Sequence, residues 1–168
     1  MFNKFYPDRY FKSTYSIDFK KEYEMGIRGI LFDIDNTLVE HGQDATRQSD
    51  QLINTLKEIG FKVCLISNNK QPRVERFNKN IQVDFICNAH KPSVKSYKLA
   101  MDKMGTDKDN TLFVGDQIFT DVYGAKKAGM KSYLVGQIAS HEEIQIVLKR
   151  KLEKIVLHFY LKNNKLEG

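Results

Sequence analysis

Tryptophan is absent, cysteine occurs twice and proline three times in 168 residues. Two thiols cannot build the bridge network of a disulfide-stapled secreted scaffold. Cys64 and Cys87 both lie in apolar runs that read as interior strands, so a reducing, cytoplasmic setting is expected. No apolar stretch approaches the roughly 20 residues a helix needs to cross a bilayer, so no transmembrane helix is expected. The N-terminal segment lacks an apolar signal-peptide core, and export is not expected. Internal repeats, low-complexity tracts and long linkers are missing as well. A hydrophobic share of 41% supports one packed interior, and residues 1–168 read as a single domain.

The formal charge of +6 is unevenly placed. Residues 29–148 hold 15 basic and 15 acidic side chains, while the first 28 residues contribute +2 and the last 20 contribute +4. A surface built to track nucleic acid would not need this partition. A continuous aromatic and basic groove, the mark of single-strand binding, is lacking too.

Along the chain, an aromatic arm (1–27), broken by Pro7, precedes an apolar run, Ile30–Phe32, that ends at Asp33. Leu52, Ile53, Leu56 and Ile59 form a helical stripe over 47–59, closed by Gly60. Val63 to Ile66 read as a second strand, 71–79 as a short helix and 83–87 as a third strand. A helix after Pro92 stops at Gly105, the strand TLFVG follows, and a helix over 119–128 leads into KSYLV. The alternation predicts an α/β three-layer sandwich: a mainly parallel five-stranded sheet covered on both faces. The gaps between Asp35 and Ser67 and between Ser67 and Lys91 are too short for a cap domain. From about 141 to 162 a helical apolar period runs among lysines. It reads as a basic amphipathic helix with its apolar face on the domain, or as a contact for a membrane, protein or RNA.

Ligands of such sheets bind beyond the carboxyl ends of the strands. Four predicted strands deliver polar groups there: Asp33 and Asp35; Ser67 and Asn68; His90 and Lys91; Asp116 with Asp121. Asp33, Asp35 and Asp116 at one point would repel one another, and Lys91 with one Mg²⁺ balances them. A hard divalent ion suits carboxylate, carbonyl and water ligands, and no compact cysteine and histidine set for zinc exists. A phosphate monoester fits this balance if Ser67 and the amides of the 33–36 turn donate hydrogen bonds. The two-residue spacing of Asp33 and Asp35 needs a curled turn, because in a straight strand the two do not converge. Thr37 reads as a turn cap, Asn68 and Asn69 equally as turn residues, and His41 as exposed. His90 reads equally as a substrate contact or a loop residue. Both cysteines read as buried and inert, and Gly115 as a sharp turn into the site.

In order, DIDNTL at 33–38, SNN at 67–69, KP at 91–92 and GDQIFTD at 115–121 resemble the four motifs of the haloacid dehalogenase (HAD) superfamily of phosphohydrolases. The PDRY segment, LFDIDNTLVE, LISNN, AHKP and GDQIFTD more closely resemble the YqeG family, type IIIA phosphatases of this superfamily. The resemblance implies a HAD-like Rossmannoid fold, with Asp33 as nucleophile and Asp35 as general acid and then base. It implies Mg²⁺ on Asp33, Asp116 and the backbone carbonyl of Asp35. Ser67 and the Asn68 amide would hold phosphoryl oxygens, Lys91 would neutralise them and orient Asp33, and Asp121 and Thr37 would support. Mitochondrial relatives of that family act on phosphatidylglycerophosphate, which makes this lipid, at the inner face of a membrane, the sharpest implied substrate. A soluble or protein phosphomonoester is the alternative, and a noncatalytic module binding RNA, ribosome or protein through the basic helix is the rival from another class.

Overall fold

The computed structural model describes residues 2–138 and 144–168, and within 144–146 the backbone only. His141 and the predicted helix start at 141 lie outside the described residues. In chain order the elements are β1 (Arg9–Phe11), α1 (Phe19–Glu24), β2 (Gly29–Phe32), α2 (Arg47–Ile59), β3 (Lys62–Ile66) and α3 (Gln71–Asn78). They continue with β4 (Asp84–Ile86), α4 (Val94–Met104), β5 (Thr111–Gly115), a π-helical turn (Ile118–Val122), α5 (Tyr123–Lys127), β6 (Lys131–Val135), α6 (Ile144–Leu161) and β7 (Leu166–Glu167). The helix boundaries follow local chemistry. Thr46 caps α2 by accepting from the Ser49 amide, and Gly60 ends it at φ 115°, a conformation that costs glycine little.

All strand pairs are parallel, in the order β4-β3-β2-β5-β6-β1-β7. Alternation along the central strands builds the two faces. Ile30, Phe32, Leu65 and Val114 pack with Phe19, Ile53, Leu56 and Phe77 of α1, α2 and α3. Leu31, Cys64, Ile66 and Phe113 pack with Tyr97, Met101 and Ala125 of α4 and α5. Helices therefore cover both faces, and no cap domain interrupts the strand ends.

Two expectations need correction. The sheet has seven strands, not five, because both chain ends add one. Residues 9–11 extend the outer edge of β6 with Phe11 opposite Val135, and β7 pairs with β1 in turn. Neither segment carries a long apolar run; an ion-pair network centred on the buried Glu22 ties them to the domain. Glu22, almost fully buried, accepts from Arg9 (3.2 Å), Lys131 (3.0 Å) and the Tyr133 hydroxyl (2.5 Å), and Arg9 also pairs with Glu167 (Nε to Oε1, 2.8 Å). The second correction concerns α6. Glu153, Val156 and Tyr160 are the buried residues of its described side chains, while Leu148, Leu152, Ile155 and Phe159 of its apolar period face outward, against the reading that this face packs on the domain. The rotation is set by Glu153, which accepts from the amides of Ile118 (2.8 Å) and Phe119 (3.2 Å) at the start of the π-helical turn. The arm adds Tyr6 against Tyr160.

Candidate active site

The loop after β2 is curled. The amides of Leu38 and Thr37 both return to the carbonyl of Ile34 (2.9 and 3.2 Å), and Asn36 adopts φ 60°. Ile34, Leu38 and Val39 anchor the loop in the core. The N-terminal arm braces it from outside: Thr14 donates to the carbonyl of Thr37 (2.7 Å) and Tyr15 to that of Leu38 (2.6 Å). Sequence patterning gave no sign of this brace, which consists of side-chain to backbone hydrogen bonds.

Asp33, at the end of β2, accepts from Lys91 Nζ through Oδ1 (2.6 Å), and the same ammonium donates to Asp121 Oδ1 (2.6 Å). The other oxygen of Asp121 accepts from the amides of Asp116 (3.1 Å) and Gln117 (3.0 Å), so Asp121 ties the end of β5 to Lys91. Gly115 makes room for it: a Cβ there would stand 2.5 Å from Asp121 Oδ2. The glycine is thus explained by close approach of a carboxylate, not by a turn. The hydroxyl of Thr37 lies between Asp33 Oδ2 (3.4 Å) and Asp116 Oδ1 (3.3 Å).

Asp33, Asp116 and Asp121 each offer an oxygen within 4.8 Å of the others, all three buried. Burial pushes the Asp33 carboxyl up to about 6, against the pull of Lys91 and with Asp121 adding repulsion. Burial and the charge of Asp33 hold Asp116 well above the usual carboxylate range, even with Arg150 beside it. Burial opposes the charge on Lys91 as well, but Asp121 and Asp33 outweigh it and hold the ammonium above its ordinary range. Such a cluster fits a hard divalent cation, whose charge would offset both the burial and the mutual repulsion of Asp33 and Asp116. Because both oxygens of Asp121 are taken by Lys91 and two amides, Asp33 and Asp116 are the better ligands.

Asp35 turns elsewhere. It accepts from the Gly42 amide (2.8 Å), from Asn69 Nδ2 (2.6 Å) and from Arg73 Nη2 (2.9 Å). Burial raises its carboxyl, but the Gly42 amide, Arg73 and Asn69 outweigh this and hold it below its ordinary value. Ser67, buried at the end of β3, accepts from the amide (3.1 Å) and side chain (2.9 Å) of Asn69, and Asn68 Oδ1 accepts from the Lys91 amide (2.8 Å).

A cavity of about 180 Å³ opens at these strand ends. Asp33, Asp35, Ser67, Asn68 and Lys91 line it, joined by His41 at an exposed position and by Lys149 of α6. His90 is exposed and is not part of its wall. Asp116 is set behind the wall: Arg150 Nη1 donates to its backbone carbonyl (2.6 Å) and Nη2 to its carboxylate. Four contributors were therefore missed in the sequence. Asn69 was weighed only as a turn residue. Arg73, Lys149 and Arg150 look like ordinary helix-surface cations, and no spacing rule links them to Asp33.

The profile of the haloacid dehalogenase-like hydrolase family matches residues 43–135, beginning just past the first carboxylate pair. Over 159 residues the chain is 35% identical to "Probable phosphatase YqeG" of Bacillus subtilis (strain 168), covering 94% of this chain and 92% of that protein. A glyceraldehyde 3-phosphate phosphatase of Pyrococcus abyssi is 27% identical over 86 residues, 46% of this chain and 36% of that one. Among solved structures, an HAD phosphatase from Thermococcus onnurineus superposes with a TM-score of 0.58 at 14% identity, covering 77% of this chain and 98% of that one. That last likeness is one of fold.

Proposed function

The chain belongs to the haloacid dehalogenase-like hydrolases, a hydrolase class that works through a cluster of aspartates, and from that membership we propose a magnesium-dependent phosphomonoesterase whose nucleophile is Asp33. The observation that carries this reading is the Asp33–Lys91–Asp121 chain, with both contacts at 2.6 Å, in a polar cavity at the strand ends. Residues 1–168 act as one catalytic unit in it.

Lys91 orients the Asp33 carboxylate, which attacks phosphorus as the bond to the leaving alcohol breaks, giving a phosphoaspartyl group. Ser67 and the Asn68 amide accommodate the phosphoryl oxygens. Asp35 gives its proton to the leaving alcohol, then accepts one from the water that attacks the same phosphorus, and so regenerates Asp33. With Arg73 and Asn69 on its carboxylate, Asp35 stands in the form suited to the second half; the first half needs it protonated. A magnesium ion held by Asp33, Asp116 and the carbonyl of Asp35 would supply charge neutralisation for the phosphoryl oxygens. Asp121 and Thr37 position Lys91 and the two acidic ligands.

The uncapped cavity suits a phosphate presented on a surface, and phosphatidylglycerophosphate at the inner face of the cytoplasmic membrane is the preferred substrate. No helix among the described residues is long and apolar enough to cross a membrane, and Cys64 and Cys87 are unbridged. The test is a phosphate-release panel with and without Mg²⁺: phosphatidylglycerophosphate in mixed micelles, sugar and nucleotide monophosphates, and phosphopeptides. Release from the lipid above all others supports the substrate. Release from soluble phosphates alone rejects the lipid, and no Mg²⁺-dependent release from any of them rejects the phosphatase.

A further inference from the structure

Helix α6 leaves Leu148, Leu152, Ile155 and Phe159 exposed by 64%, 53%, 51% and 41%. Their spacing of four, three and four residues puts them in one stripe along roughly 16 Å of helix. Among the described residues the stripe stays largely exposed, although its apolar area is costly to leave in water. Phe2 of the N-terminal arm packs against Phe159 (ring centroids 5.6 Å apart) and continues the apolar surface at one end.

Among the described residues, the exposed charged groups that fringe the stripe are lysines. Lys151 and Lys162 flank it on one side with Lys154 beyond them, Lys149 stands on the other side, and all four are exposed. Glu153, the acidic residue between 147 and 165, is buried against the Ile118 and Phe119 amides and Arg150, so it offsets none of this outer charge. A second copy docking through the same stripe would bring like fringes together and repel. An anionic layer with an apolar interior matches both the stripe and its fringe, because lysine stems extend along apolar surface while their ammonium groups reach the phosphates.

We infer that α6 is a membrane-docking helix that lies flat on anionic phospholipid, with Leu148, Leu152, Ile155 and Phe159 in the acyl boundary and the lysines among the headgroups. Docking also places the site. Lys149, next to Leu148, lines the catalytic cavity, so the cavity mouth opens beside the layer of lipid phosphates. The inference deepens the lipid-substrate reading and rests on it for the purpose of docking, but the surface is tested without turnover.

The experiment is flotation of the full chain with vesicles of phosphatidylcholine alone or with about one third phosphatidylserine, at low and high salt. The same measurements are made on a Leu152→Glu, Ile155→Glu double variant, together with p-nitrophenyl phosphate hydrolysis and light scattering. Expected is binding to the anionic vesicles at least about tenfold tighter than to the neutral ones, weakened by salt and abolished in the double variant, which keeps the wild-type rate on the soluble ester. Equal partition to both vesicle types, no binding to either, or unchanged binding by the double variant overturns the inference. A wild-type dimer that dissociates in the double variant assigns the stripe to a second copy and overturns it as well. A docking protein that hydrolyses no phosphomonoester keeps the surface and refutes the proposed activity, so the two failures are distinguishable.

Discussion

Arg150 of α6 grips Asp116 at the end of β5 by two groups at once, its backbone carbonyl and its carboxylate, and continues to Glu153 (3.0 Å). The C-terminal helix is thereby fastened to the acidic centre, and a guanidinium stands on a carboxylate proposed to hold the metal. Arg150→Ala leaves Asp116 buried without this counter-charge, so the metal-free protein should lose roughly 3 kcal/mol of stability. Mg²⁺ should then raise the melting temperature of the variant more than that of the wild type. Thermal unfolding with EDTA or with excess Mg²⁺ checks both effects; equal Mg²⁺ increments would mean that Arg150 does not bear on the metal site.

A pH dependence follows from Asp33. Its folded-state value is raised from 3.8 to about 6, so the native metal-free protein binds this proton more tightly than the unfolded chain does. Stability from this group is therefore full below about pH 4 and is lost as pH rises through about 6. Asp33→Asn lacks this titration. The stability difference between the two, from urea unfolding in EDTA, should shift in favour of the variant from pH 4 to 7. A difference that stays flat would remove the raised value.

Gly115→Ala tests the tie between β5 and Lys91. The new Cβ has no room beside Asp121 Oδ2 and the Phe113 ring, so Asp121 must move and Lys91 loses its anchor. A misplacement on this scale is expected to lower kcat by about 10²-fold. Steady-state kinetics with circular dichroism of the folded variant separates this from unfolding.

Arg73 holds Asp35 in its ionised form. In Arg73→Gln the carboxyl keeps its proton to higher pH, so the alkaline limb of kcat/KM should move upward. An unmoved limb would show that Asp35 is not the acid that delivers a proton to the leaving group.

The sequence made the α/β layering legible because each central strand alternates between two apolar faces and each helix carries its own stripe and cap, as with Leu52, Ile53, Leu56, Ile59 and Gly60. The polar strand ends were legible for the same reason: Asp33, Ser67 and Asp116 each close an apolar run, and Lys91 stands in the loop that follows the third predicted strand. What was not legible depends on contacts between distant parts of the chain. β1 and β7 are held by Arg9, Glu22 and Glu167, whose pairing spans nearly the whole chain. The rotation of α6 was read from its apolar period alone, yet Glu153 seeking two open amides turned that period toward solvent. Arg73 and Arg150 could not be placed at the site without knowing which strand end each helix meets.

The most direct measurement is mass spectrometry of the acid-quenched protein during turnover of a phosphomonoester with Mg²⁺. Expected is one phosphoryl group on the peptide bearing Asp33, convertible to homoserine at position 33 by borohydride, and neither adduct nor phosphate release in Asp33→Asn. Sustained phosphate release by Asp33→Asn, or a phosphoryl group trapped on a different residue, would contradict the assignment of Asp33 as nucleophile.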